Sequence, residues 1–169
     1  MHLSDPATMR HSIDDLLAPK ALKQAAMAID PSRAQPLPPP MSASPDTVYL
    51  TTADHSGMMV SFIQSNFRGF GSGVVVPGTG ISLQNRASGF LTDISHPNGI
   101  GPGKRPFHTI IPGFAFRQGE PFMSFGVMGG HMQAQGHVQM MIRIIGHGQN
   151  PQAASDAPRW HLTESGALA

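Results

Sequence analysis

Asp46-Thr47-Val48-Tyr49-Leu50-Thr51-Thr52-Ala53-Asp54 is the stretch on which the reading of this chain turns. Threonine, valine and tyrosine crowd it, and such residues fit the pleated, half-buried surface of a strand. A proline-dense run, Gln35-Pro36-Leu37-Pro38-Pro39-Pro40-Met41-Ser42-Ala43-Ser44-Pro45, leads into it. Prolines at that density fix φ and remove donors, so the run reads as an exposed, extended linker. It fits an ordinary connector. It also fits a segment kept accessible because the chain is cut at its end. On the second reading Thr47 is a latent N-terminal nucleophile, freed by cleavage between Asp46 and Thr47.

Working outward, Met58–Ser65 is a second strand candidate, and Asp54-His55-Ser56-Gly57 supplies the turn chemistry of a hairpin between them. Pairing Ala53 with Met58 places Thr47 opposite Gln64, with Asn66 two residues further on the same face. Opposed side chains in such a pair lie about 5 Å apart at Cβ. The expected site therefore gathers Thr47, Gln64 and Asn66.

Composition narrows the function. The chain has 169 residues, a net charge of +1 and only 12% charged residues, with no basic cluster. That balance argues against a nucleic-acid binder, which needs a phosphate-neutralising patch. A hydrophobic share of 40% can support a core, and the absence of cysteine excludes disulfides and cysteine-ligated zinc. No apolar run approaches the roughly 20 residues needed to cross a bilayer. Met1-His2-Leu3-Ser4-Asp5-Pro6 lacks the basic-then-apolar pattern of a signal peptide, so the expected localisation is cytoplasmic. The 19 glycines and 16 prolines suit short strands joined by tight turns.

In the remainder of the chain, Ser12 caps a helical turn over Ile13–Leu17, and Pro19 opens a second helix, Lys20 to Ile29. Val74-Val75-Val76, between glycine-rich loops, reads as a short buried strand, and Phe90 to Pro106 as a loop region. His108–Phe116 and Pro121–Met128 form a second hairpin candidate. Gly129-Gly130 then opens a helix from Met132 to Ile145. Its apolar stripe is Ala134, Val138, Met141, Ile142 and Ile145, opposite Gln135, Gln139 and Arg143. Pro151–Asp156 reads as a short helix.

Several motifs fail on inspection. Gly69–Gly73 lacks the third glycine of a dinucleotide loop, and Asn98–Arg105 lacks the first glycine and the Ser/Thr of a phosphate loop. Phe70 stands where a nucleophile elbow around Ser72 needs glycine. The nine histidines show no metal-ligand spacing, and each reads as a structural or surface residue. No metal or cofactor is expected. Gly129-Gly130 differs: two glycines let backbone N–H groups approach a ligand, and a helix N-terminus favours negative charge, as an oxyanion hole requires.

Together these residues resemble the γ-glutamyltransferase family, which are N-terminal nucleophile hydrolases. The matching stretches are Asp46–Thr51, Ser65–Gly73, Gly78–Arg86, Gly103–Pro106, Gly129-Gly130 and Ala157-Pro158-Arg159-Trp160. The resemblance implies an α+β fold, part of a four-layer αββα sandwich. Residues 1–46 would be the end of a large-subunit-like segment plus linker, and 47–169 a small-subunit-like region.

The resemblance also implies self-cleavage before Thr47, whose freed α-amine then serves as base for its own hydroxyl. Gly129 and Gly130 match the oxyanion hole and Asn66 a substrate-binding asparagine. Gln64 matches a threonine that supports the nucleophile, with Thr51 as a second supporting residue. His108 and Thr109 match a serine pair that binds the substrate α-carboxylate. Gly89 stands where better-known members hold the substrate amino group with an acid, and Arg86 replaces an uncharged amide residue. Losing an anion and gaining a cation favours an acyl group bearing only a carboxylate, as in the family's acylase-like branch. The expected partners are a small amide of γ-glutamyl or glutaryl type and a large-subunit-like segment or second chain. The alternative is a truncated, non-catalytic remnant.

Overall fold

The computed structural model describes residues 4–32, 46–163 and 167–169, with the backbone alone of Asp46. The proline-dense run expected as a linker, 35–45, lies outside the described residues. The fold is α+β with antiparallel strands. It divides into two units, Met1–Pro38 with Arg86–His108, and Pro39–Asn85 with Thr109–Ala169. Among the described residues no helix is long and apolar enough to cross a membrane.

In the first unit the expected helical turn is α1 (Ile13–Leu17), closed by a reciprocal capping box between Ser12 and Asp15. The following helix, α2, runs Pro19–Met27 with proline in its first turn. Residues 90–106 form neither helix nor strand, as the turn residues predict. Side chains hold this loop instead. The Lys104 ammonium donates to the Pro97 and Gly99 carbonyls, and Asn98 Nδ2 donates to Gly89 O at 2.9 Å. Asp5 Oδ2 accepts from Arg105 N at 2.9 Å, which ties the loop to the start of the chain.

The second unit contains two hairpins. β1 (Asp46–Ala53) pairs antiparallel with β2 (Met59–Phe67), and β3 (Gly113–Arg117) with β4 (Glu120–Phe125). The first hairpin corrects the expected register by one residue: Ala53 faces Met59, Thr47 faces Ser65, and Val48 faces Gln64. The cause is the turn. Asp54 Oδ1 accepts from Ser56 N at 2.9 Å, Ser56 Oγ at 2.7 Å and Met58 N at 3.1 Å. Met58 is thereby drawn into the turn, and a one-residue slip moves every side chain to the other face. Thr47, Tyr49 and Thr51 share a face with Ser65, buried Ile63 and Ser61, and this face meets β4. The opposite face presents Val48, Leu50, Val60 and Phe62, exposed by 45–56%.

Three further expectations change. Val74–Val76 is not a buried strand; it makes one isolated bridge, Val75 to Ser82, and Val74 and Val75 are each 54% exposed. β4 stops at Phe125, so 126–128 leaves the ladder before the glycine pair. The long helix is α3 (Met132–Met141), which widens into a π-helical turn at Ile142–Gly146. Its expected apolar stripe is on the solvent side, and Gln133, Gly136 and Gln139 are the buried positions. The short helix α4 spans Pro151–Asp156, capped by Asn150 Oδ1 accepting from Ala153 N at 2.8 Å.

Candidate active site

Thr47 sits at the second position of β1, half-buried, and lines an open cavity of about 710 Å³. Val48, Gln64, Ser65, Asn66, Gly69, Gly80, Ile81 and Ser82 complete the wall. The expected trio of Thr47, Gln64 and Asn66 is thus brought to one cavity, although by a different route. The ladder shifts at the Asp46/Thr47 step, where Asp46 pairs with Phe67 and Thr47 with Ser65. Asn66 is the extra residue of this bulge. Bulges bend a strand and re-aim its side chains, which offsets the register slip for Asn66. The bulge is marked by Phe67, buried yet at φ 79°, a left-handed conformation uncommon for an aromatic residue. Ser65 Oγ accepts from Phe67 N at 2.9 Å.

The far wall of the cavity belongs to the loop between Gly69 and Asn85. Asn85 ties this loop down: its Oδ1 accepts from Arg68 N at 3.0 Å, and its Nδ2 donates to the carbonyls of Arg68 and Gly71. Ser72 N donates to Leu83 O, and Leu83 N donates to Val74 O. The matching stretch Gly78–Arg86 contained Asn85, but sequence reasoning gave it no role; its work is to hold the loop, which only the hydrogen bonds reveal.

The contacts along β1 run to the segment that precedes the glycine pair. Thr51 Oγ1 and Ser124 Oγ share a short hydrogen bond, so Thr51 joins β1 to β4 rather than touching the cavity wall. Two residues back on β1, the Tyr49 ring lies on Gly126. Over these two contacts the facing segment runs in the opposite sense to β1, and three residues beyond Gly126 it reaches the glycine pair. There Gly129 (φ 131°) and Gly130 (φ 57°) take conformations that only glycine adopts readily, and their carbonyls accept from Met132 N and Gln133 N to start α3. The turn therefore places two glycine amides at a helix N-terminus, where partial positive charge gathers. His131 follows the pair. Desolvation, and then the charge of Arg68, hold its imidazole below the usual range and favour the neutral ring.

Of the other expected substrate residues, Thr109 is buried in the second unit. Arg86 and His108 belong to the first unit. Arg86 lies buried on a 3₁₀ turn, Arg86–Gly89, and desolvation weakens its hold on its proton. Desolvation, then the Arg86 charge, lower the His108 pKa. Among the described residues no group of three His, Asp or Glu side chains could hold a metal ion.

The chain is similar in sequence and fold to known proteins. The family model for gamma-glutamyltranspeptidase matches residues 1–166. An oxamate amidohydrolase proenzyme of Klebsiella pneumoniae is 40% identical over 161 residues, 95% of this chain and 30% of the relative. A glutathione hydrolase-like proenzyme of Bacillus subtilis is 38% identical over 162 residues, 94% of this chain and 30% of that protein. The crystal structure of a cephalosporin acylase from Bacillus halodurans superposes with a TM-score of 0.82 at 51% identity, covering 96% of this chain and 29% of the acylase chain. A gamma-glutamyltranspeptidase from Pseudomonas nitroreducens superposes at 0.60 and 27% identity, over 67% of this chain and 64% of that one. The chain spans about 30% of the length of the two sequence relatives. With the family model covering nearly every residue, the chain belongs to the gamma-glutamyltranspeptidase family.

Proposed function

We propose that this chain is part of a self-processing amide hydrolase or acyltransferase, residues 1–46 the end of its large-subunit-like segment and 47–169 its small-subunit-like region, with Thr47 as nucleophile. The observation that carries the reading is Thr47 lining the 710 Å³ cavity together with Asn66 and Gln64, with a bulge at the Asp46–Thr47 step. In processing, the Thr47 hydroxyl attacks the Asp46 carbonyl carbon, the Asp46–Thr47 C–N bond breaks, and the acyl group moves to oxygen as an ester. The hydroxyl proton ends on the released nitrogen, and water then hydrolyses the ester. The free α-amine becomes the base for the next attack, on a substrate amide. That attack forms an acyl-enzyme, expels an amine and leaves water or a second amine to resolve it. The amides of Gly129 and Gly130 would carry the developing oxyanion.

The substrate class we infer is an amide whose acyl group bears a carboxylate and no amino group. Support comes from Arg86 in place of an uncharged amide residue, and from Gly89 in place of an acid. The names of the relatives, an oxamate amidohydrolase and a cephalosporin acylase, agree with it. A γ-glutamyl amide is the competing substrate. In the assembled enzyme a large-subunit-like segment or second chain would complete the four-layer αββα sandwich.

A second reading is favoured by one observation. The outer face of β1–β2 leaves Val48, Leu50, Val60 and Phe62 about half exposed, as in a piece that is inert until covered. Intact mass of the purified chain beside Thr47→Ala separates the two. A break between Asp46 and Thr47 in the parent alone supports the nucleophile. An unbroken parent rejects processing by this chain on its own and favours the inert piece.

A further inference from the structure

We propose that the Tyr49 ring, seated on the bare backbone of Gly126, is a positioning residue that sets the spacing between the Thr47 end of β1 and the Gly129-Gly130 turn. This rests on the functional reading above only for what the spacing is used for.

Three observations converge on the pair. First, Gly126 has no room for a side chain: a Cβ built there would overlap Cδ2 and Cε2 of Tyr49. The close approach of backbone to ring is thus specific to glycine, and it is not a demand of φ, since Gly126 is absent from the positive-φ residues. Second, the ring is itself fixed. Tyr49 Oη and Ser61 Oγ lie 3.0 Å apart, and Ser61 Oγ donates to Phe125 O at 3.3 Å. The phenol, β2 and the residue before Gly126 are joined in one chain of hydrogen bonds. Third, the segment beyond is clamped from the other side. Val127 N donates to His137 Nε2 at 3.2 Å, and the Val127 side chain rests on Gly136 of α3. Between β1 and α3, residues 126–127 are held on both flanks, and the glycine pair begins two residues later.

The geometry makes Tyr49 the last of the contacts described along this edge before Thr47. Thr51 meets Ser124 and Tyr49 meets Gly126, and Thr47 is the next residue of β1 on that same face. Nucleophile and oxyanion donors must be held to within a fraction of an ångström, and a misplacement of about 1 Å can cost about 100-fold in rate. A rigid ring against glycine gives such a stop; a flexible side chain on an alanine would not.

The test uses the full chain. Because it has no cysteine, Val48→Cys and Met128→Cys can be labelled with nitroxides, and their dipolar broadening reads the spacing directly. Four backgrounds are compared: parent, Gly126→Ala, Tyr49→Ala and the double variant, with Tyr49→Phe as the mild control. Circular dichroism melts restrict the comparison to folded samples, and Tyr49→Ala carries the test should Gly126→Ala not fold. Both single variants are expected to shift or broaden the distance, and Tyr49→Phe, which keeps the ring on Gly126 and loses only the Ser61 hydrogen bond, to move it less. The double variant should return part of the way, since the new methyl occupies room the ring has left; such coupling is the mark of a direct contact. In unlabelled chains the processing rate at Asp46–Thr47 should fall at least about 10-fold in each single variant and recover in the double. An unchanged distance in both single variants overturns the proposal. So do strictly additive effects. A parent that never processes while the distances respond as described would sink the functional reading and leave the positioning claim standing; processing with unresponsive distances would do the reverse.

Discussion

The β1–β2 hairpin and α3 handle apolar surface in opposite ways. The hairpin buries Ile63 among Thr47, Tyr49, Thr51, Ser61 and Ser65 on its inner face, while Val48, Leu50, Val60 and Phe62 stand on the outer one. α3 turns its polar side inward. Gln139 is buried, and its amide donates to Trp160 O at 2.9 Å and accepts from Trp160 N at 3.1 Å. Gln135 Oε1 accepts from Leu162 N at 3.0 Å, and Arg143 reaches Pro158 O at 2.7 Å. The helix therefore grips the 158–162 segment as a neighbouring strand would, by main-chain hydrogen bonds, and leaves Val138, Ile142 and Ile145 outside. An amphipathic helix packing its own core does the reverse. The difference teaches that apolar residues here mark two kinds of surface, one that holds the unit together and one that the unit leaves uncovered.

The comparison breaks first if the two faces of the hairpin prove energetically alike. Ile63→Ala removes a buried branched side chain from the inner face of β2, and should cost about 2–5 kcal/mol in chemical denaturation. A loss under about 0.5 kcal/mol would show that the inner face is no core. Next in size is Gln139→Leu. It strips both hydrogen bonds from the Trp160 backbone, and Trp160 is exposed enough for water to replace them in part, so the expected cost is about 1–2 kcal/mol. Trp160, the single tryptophan, reports the loosening by its fluorescence. A neutral or stabilising outcome would mean that the buried amide is tolerated rather than used. Smaller again is Phe62→Ser on the outer face. Surface changes of this kind stay within about 0.5 kcal/mol, so the melt should hardly move while self-association, read by sedimentation, declines. A large destabilisation would place Phe62 in a core after all.

How much of this was legible in the sequence depends on what each feature rests on. β1, β2 and the start of α3 follow from residue chemistry local to each, whereas β3 begins at Gly113 and not at the expected His108, β4 stops at Phe125 short of Met128, and Val74–Val76 forms no strand. The register of β1–β2 was missed by one residue because a single carboxylate, Asp54, draws Met58 into the turn; side-chain capture of that kind does not show in an alternation pattern. Thr47, Gln64 and Asn66 still reach one cavity because a bulge compensates for Asn66, a feature with no sequence signature here. The orientation of α3 was read backwards. A helical stripe identifies an apolar face but not what covers it, and Gln135, Gln139 and Arg143 found main-chain partners more than twelve residues away. Tyr49 lay in a matching stretch without a role, Gly126 lay in none, and their meeting depends on how residues 124–126 pass the hairpin.

The smallest expected effect sharpens the same contrast through pH. His137, on α3, accepts a hydrogen bond from Val127 N at Nε2 and packs edge-on against the Phe125 ring, 5.0 Å between centroids. Only a ring unprotonated at Nε2 can accept, and desolvation lowers its pKa below the ordinary 6.5. A base whose folded pKa is depressed contributes stability that is fully present above its unfolded value. That contribution is lost as pH falls through the folded value, because the unfolded chain binds the proton first. Thermal midpoints should therefore be level above neutrality and decline as pH drops below 6.5. His131 and His108 shift in the same direction, so His137→Gln, whose amide oxygen can still accept from Val127, should flatten the decline without abolishing it. Asp54, held low chiefly by the Ser56 hydroxyl, acts only near and below its ordinary 3.8 and leaves that window clear. A slope identical in parent and His137→Gln would remove His137 from the inner face of α3 as a stabilising group. A reduced slope would show that helix and hairpin differ in kind: α3 and the 125–127 segment are joined by polar contacts that titrate, whereas Ile63 meets its neighbours through packing that pH does not reach.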